Sequence, residues 1–133
     1  MMIRSLLLST IALVTVHAVA NANTLDDLNA KAARADAACA PALHRAMQAA
    51  ATLTRCQAIS DRIESFRAIR GAAYVAGGDA AYQRARQVTD FSSDDTAFYR
   101  QTCDSAAKFD AVEAAARNAE TARERCQAAA WAH

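Results

Sequence analysis

The chain has 133 residues and a formal net charge of +1, from 15 basic and 14 acidic side chains. This length suits one small domain, and the near-neutral charge gives no general reason to bind nucleic acid or an anionic membrane surface. Because the sequence contains no alternating strand pattern and no internal repeat, it predicts an all-α protein.

Residues 1–22 have the three parts of a secretory signal peptide. Arg4 precedes an apolar run, and small residues close the segment up to Ala20 and Ala22. The run is shorter than the roughly 20 residues that span a bilayer. We therefore expect cleavage after Ala20 or Ala22, export to the periplasm or the extracellular space, and no membrane span afterwards. Residues 23–133 are expected to form a single all-α domain.

Four cysteines lie in the expected mature part: Cys39, Cys56, Cys103 and Cys126. An even number of thiols in an exported chain predicts two disulfides. A metal site with all four cysteines as ligands is the competing interpretation, but such sites usually bring their cysteines in close pairs, and these cysteines are widely spaced. We therefore expect no metal and no other cofactor.

The first helix is expected to begin at Thr24, a suitable N-cap residue. Apolar residues then recur every three or four positions from Leu25 to Cys39, as on one face of a helix. Pro41 suits the first turn of the next helix. That second helix is expected to run from about Pro41 to Arg70 and to end at Gly71, because glycine is a frequent helix stop.

The apolar positions of the second helix rotate around its axis. At ~100° per residue, Leu43 and Met47 point about 180° away from Ile59 and Ile63. Either one continuous helix touches two different neighbours, or the helix breaks near residues 52–54. We favour one continuous helix with a rotating face.

The glycine-bounded segment that follows is the main candidate for binding. Gly77–Gly78–Asp79 is a turn signal, and Asp79 can cap a short helix that runs through Val88. Loops on rigid scaffolds often carry binding, whereas the alternative here is a tightly packed turn. The partner-binding candidates are Tyr74, Val75, Gly77, Gly78 and Tyr82.

The longest helical pattern runs from Ser92 to Trp131 without proline or glycine. Ser92 and Asp95 have the spacing of a capping box, and an apolar stripe close to a heptad repeat favours antiparallel packing. On one such helix Cys103 and Cys126 would be about 34 Å apart, too far for a disulfide.

This geometry favours the nested pairs Cys39–Cys126 and Cys56–Cys103, although the sequential pairs Cys39–Cys56 and Cys103–Cys126 stay open. The sequence as a whole predicts a small antiparallel bundle of three to four helices, cross-linked by two disulfides. Alanine supplies 33 of residues 23–133, so a core would come from close approach of the helices rather than from large side chains.

No group of residues indicates catalysis. Apart from the terminal His133, the expected mature part contains only His44, and oxidised cysteines provide no nucleophile. We expect a non-catalytic exported protein that binds another protein, for instance as an inhibitor or immunity-type protein. A carrier or sensor of a small apolar ligand and a small secreted effector or hydrolase are the alternatives. The sequence specifies neither the partner nor the oligomeric state.

Overall fold

A computed structural model of the chain describes residues 24–133, so the predicted signal peptide lies outside the described residues. Within that range the protein is a small all-α bundle with two disulfides, as the sequence predicts. None of the helices in residues 24–133 combines the length and the apolar character that crossing a bilayer would need.

Four helices make up the described chain: α1 covers residues 24–38, and the others are α2 (Ala40–Val88), α3 (Ser93–Thr102) and α4 (Ala106–Trp131). They divide into two compact units. One contains the described residues up to Pro41 together with Glu124–His133, and the other is Ala42–Arg123. A single domain over residues 23–133 stays a prediction.

In the unit that contains α1, small residues form the buried contact. The disulfide between Cys39 and Cys126 has a Cα–Cα distance of 5.8 Å, and Ala35, one turn before Cys39, is 2% exposed. Toward the start of α1 the same stripe is uncovered, since Leu25 is 60% and Leu28 is 47% exposed. The burial in this unit is therefore concentrated around the disulfide.

In the other unit, α2 is a hairpin of two helical arms, residues 40–77 and 79–88. Gly78 separates the arms with φ 67° and ψ −156°, values outside any helix. After the reversal, Arg70 Nε donates a hydrogen bond to Thr89 Oγ1 at 2.7 Å, and Arg70 Nη2 donates to the Thr89 carbonyl. Because these residues would be about 28 Å apart on a straight helix, the bonds show how tightly the arms fold back.

The predicted end of the second helix at Gly71 is wrong, because the first arm continues through Gly71. A glycine inside a helix costs only about 1 kcal/mol, which contacts such as those of Arg70 outweigh. The structure confirms the predicted turn at Gly77–Gly78–Asp79. It also confirms the helix that follows this turn and runs through Val88. The favoured continuous helix at residues 52–54 is also confirmed, and there Thr52 Oγ1 donates to the Gln48 carbonyl at 3.0 Å.

The predicted single helix from Ser92 to Trp131 is wrong, because α3 ends at Thr102 and α4 begins at Ala106. The cause is a new helix cap: Ser105 Oγ accepts a hydrogen bond from the Lys108 amide at 3.2 Å. An N-cap of this kind favours the start of a helix over the continuation of the previous one. The predicted cap at the start of α3 is present, with Ser92 Oγ accepting from the Asp95 amide.

The nested disulfide pairing is confirmed, and the sequential pairing is absent. Cys56 and Cys103 join with a Cα–Cα distance of 5.9 Å, and they are 0% and 2% exposed. Besides the disulfide cysteines, few side chains in the described chain are buried, and most of those are alanines: Ala35, Ala46, Ile59, Ala85 and Thr89. Apolar burial is consequently modest, so the disulfides take a large share in holding the fold.

Candidate functional site

An ion cluster joins the first turn of α3 to the first arm of α2. Asp95 Oδ1 accepts from Arg55 Nη2 at 3.0 Å, and Asp95 Oδ2 accepts from Arg62 Nη1 at 3.4 Å. The hydrogen bond from Arg55 lowers the pKa of the Asp95 carboxyl by more than burial raises it, and the charges of both arginines and a hydrogen bond with Ser92 lower it further. Asp95 is therefore held ionised between two cations.

Aromatic rings lie under the same arginines. The guanidinium of Arg62 is 4.7 Å from the ring centroid of Phe91, and that of Arg55 is 4.1 Å from the ring of Phe98. Phe91 packs in turn against Phe66 with the centroids 5.0 Å apart. Cation–π contact and ion pairing thus fix the same two side chains, and they attach α3 and the preceding loop to α2.

We expect Asp95→Asn to lower the urea midpoint of unfolding at pH 7 but to have little effect near pH 2. A carboxyl whose pKa is lower in the folded state than in the unfolded state stabilises the folded protein. This stabilisation is present above the unfolded-state pKa of about 3.9, and it is lost as the pH falls through the lower folded-state pKa. Asp94→Asn is the control, because Asp94 lies in the same helical turn and has no ion pair within the described residues. Equal destabilisation by Asp95→Asn at both pH values would contradict this role.

The structure divides the predicted binding candidates into two kinds. Val75 is 88% and Tyr74 is 55% exposed, whereas Tyr82 is half-buried and meets the Tyr74 ring edge-on at 6.5 Å. The two glycines build the hairpin: a Cβ at Gly77 would lie 2.7 Å from the Ala81 Cβ. Gly78 supplies the positive φ. The surface available to a partner here is therefore Tyr74 and Val75.

Val75 also ends a longer exposed stripe along the first arm of α2, which we term the α2 outer face. Its ten positions recur every three or four residues, and all are exposed. It lies on the side of the helix opposite the buried Cys56 and Ile59. The α2 outer face comprises Leu43, Met47, Ala50, Thr54, Ala58, Asp61, Ser65, Ala68, Ala72 and Val75.

A groove lies between α2 and α3 beside the ion cluster, with a volume of about 340 Å³. Its floor is aliphatic and aromatic, and charged side chains stand at its rim. Sequence reasoning did not predict this groove, because its walls are up to 41 residues apart in the chain. We term it the α2–α3 groove, and it is lined by Ile59, Ile63, Phe66, Arg67, Arg70, Asp90, Phe91, Asp95, Thr96, Tyr99 and Arg100.

Within residues 24–133, no three or more histidine, cysteine, aspartate or glutamate side chains converge as metal ligands would. All four cysteines are in disulfides. When the chain is compared with protein-family models, curated proteins and solved structures, nothing matches. Function must therefore follow from the chemistry of the surfaces themselves.

Proposed function

We propose that this protein is a non-catalytic exported protein that binds another protein through the α2 outer face. The observation that carries the proposal is the scarcity of charge on that face. Between Leu43 and Val75 the helix has seven charged residues, of which Asp61 alone lies on the outer face. A solvated helix face normally concentrates its charges, so ten exposed positions with one charge are typical of a surface that a partner covers.

The shape of the face favours a helix as the partner element. Its positions follow a nearly heptad spacing over about 48 Å, and most of its side chains are small. Small side chains let two helices approach closely, and regular spacing lets the side chains of a second helix interdigitate. Leu43, Met47 and Val75 provide the larger contacts, at 40%, 63% and 88% exposure.

The charge of α2 favours an acidic partner. Over Ala40–Val88 the helix has seven arginines and three acidic residues. Of these seven arginines, only Arg55 and Arg62 are in ion pairs within the described chain. The remaining positive charge would steer an acidic helix toward this surface and fix the register in which that helix binds. Its effect on the binding affinity would be smaller. An inhibitor or immunity-type protein is the role that a small cross-linked scaffold of this kind suits.

Export is part of the proposal. Residues 1–22 have the pattern of a secretory signal, and disulfides form and persist in oxidising compartments. Cys56 and Cys103 are too far apart in sequence to be a local redox motif and are buried, as structural disulfides are. The periplasm and the extracellular space both meet this requirement.

A photo-crosslinking amino acid placed at Val75, in the cells that produce the protein, tests the proposal. We expect one dominant adduct with another protein, which the same probe at the exposed Gln83 on the second arm does not give. Ala68→Glu should abolish the adduct, because it places a like charge against an acidic partner, and Ala68→Lys should weaken it less.

The outcomes separate the partner classes. Adducts that link only copies of this chain would show that the face is a self-interface and would contradict the proposal. The same would follow if Val75 and Gln83 gave the same adducts, or if Ala68→Lys were as harmful as Ala68→Glu.

A further inference from the structure

We infer that the α2–α3 groove binds an amphipathic organic anion, with its hydrocarbon body on the groove floor and its carboxylate at the arginine rim. This site is distinct from the α2 outer face. The sequence predicted a small apolar ligand as an alternative, and the groove specifies that such a ligand also carries a negative charge.

The floor of the groove suits a hydrocarbon. Ile59, which is 4% exposed, lies at its base, and Ile63 adds a second aliphatic side chain. The Phe66 and Phe91 rings form one wall, tilted by 50° to each other. A volume of about 340 Å³ falls at the lower end of the range for small-molecule sites, so a short chain or a single ring would fit.

The rim carries an excess of positive charge. Of its two acids, Asp95 is already bridged by Arg55 and Arg62, which lie outside the lining. The other acid, Asp90, accepts a hydrogen bond from the Phe91 amide. Three lining arginines stand against these two acids: Arg67, Arg70 and Arg100.

None of those three lining arginines is neutralised by a carboxylate in the described part of the chain. Arg70 donates only to the uncharged oxygens of Thr89, and the guanidinium groups of Arg67 and Arg100 make no ion pair or hydrogen bond there. Arginine donors of this kind recognise a carboxylate through paired N–H groups. A neutral hydrocarbon would not accept hydrogen bonds from these arginine N–H groups. The geometry therefore favours an anion.

Octanoate and 1-octanol are suitable probes for the purified, oxidised protein, because they share a hydrocarbon chain and differ in charge. We expect octanoate to shift the amide resonances of Thr96 and Tyr99 in NMR titrations, and 1-octanol to bind at least about tenfold more weakly, which corresponds to one lost charged contact. Octanoate binding should also weaken as the salt concentration rises.

Arg67→Gln and Arg100→Gln should each weaken octanoate binding by about threefold to tenfold. Arg84→Gln is the matched control, since Arg84 is an exposed arginine of α2 that does not line the groove. Ala68→Glu on the outer face should also leave octanoate binding unchanged, which separates this site from the proposed protein interface.

Absence of octanoate binding, shifts confined to residues outside the groove, or equal affinity for octanoate and 1-octanol would each overturn the inference. So would equal affinities in Arg67→Gln, Arg100→Gln and Arg84→Gln.

Discussion

Replacing both Cys56 and Cys103 by alanine is expected to lower the free energy of unfolding by about 4 kcal/mol. The bond closes a loop with a sequence separation of 47, and the closure entropy of a loop of that length corresponds to ~4 kcal/mol at 25 °C. A small domain has only about 5–15 kcal/mol of stability in total. Because Ile59 is the one large aliphatic side chain buried in the described chain, apolar contacts offer little to replace the bond.

Urea unfolding of the double variant, followed by circular dichroism, measures this loss. The double replacement of Cys39 and Cys126 is the comparison. Its separation is 87, but the intact Cys56–Cys103 bond bypasses 47 of these positions, so we expect a loss of similar size. A loss below about 1 kcal/mol for the Cys56–Cys103 pair would contradict the assignment of this disulfide as a main support of the fold.

Gly78→Ala and Gly71→Ala are expected to change stability in opposite directions. Gly78 has φ 67° and ψ −156°, a region essentially restricted to glycine, so alanine should destabilise the protein by about 1–3 kcal/mol. Gly71 is helical, and alanine there should stabilise by about 0.5–1 kcal/mol through its better helix propensity.

These two positions are matched, because a Cβ built at either glycine meets no atom within 4 Å. Any difference between the variants therefore reports backbone conformation and not steric clash. The urea midpoints of unfolding of both variants measure this difference in stability. A Gly78→Ala variant as stable as the natural chain would contradict the hairpin turn at this residue.

The glycines also show what sequence reasoning can and cannot decide. Turn chemistry identified Gly77–Gly78–Asp79 correctly, since adjacent glycines before a capping aspartate have few other uses. The helix end predicted at Gly71 rested on an equally local signal and was wrong. The contact between Arg70 and Thr89 that outweighs the helix-breaking tendency of Gly71 joins residues 19 positions apart. Local signals locate possible stops, and tertiary contacts decide which of them are used.

The sequence contained a signal for the break between α3 and α4, but the apolar stripe continues across the break and outweighed that signal in the prediction. Tyr99, Cys103 and Ala106 keep a helical spacing across the break, so periodicity alone predicted one helix. Ser105 is a good N-cap residue and marks the start of α4. The nested disulfides were still favoured correctly, because α4 continues for 26 residues after the break without another turn between Cys103 and Cys126.

The candidate surfaces differ in how far the sequence revealed them. The rotation of Leu43 and Met47 away from Ile59 predicted a second neighbour for the helix, but within the described residues this side, the α2 outer face, is exposed. The α2–α3 groove gave no such indication. Asp95 had only the pattern of a helix cap and Arg62 that of a solvated residue, and they meet across 33 positions when α3 folds against α2.

The claim that two nested disulfides hold this small-residue fold is tested most directly by a tryptic map of the unreduced protein. Lysine and arginine residues separate the four cysteines into four different peptides, covering residues 35–45, 56–62, 101–108 and 126–133. We predict that 35–45 is linked to 126–133 and that 56–62 is linked to 101–108. Linkage of 35–45 to 56–62, with 101–108 joined to 126–133, would contradict the fold described above.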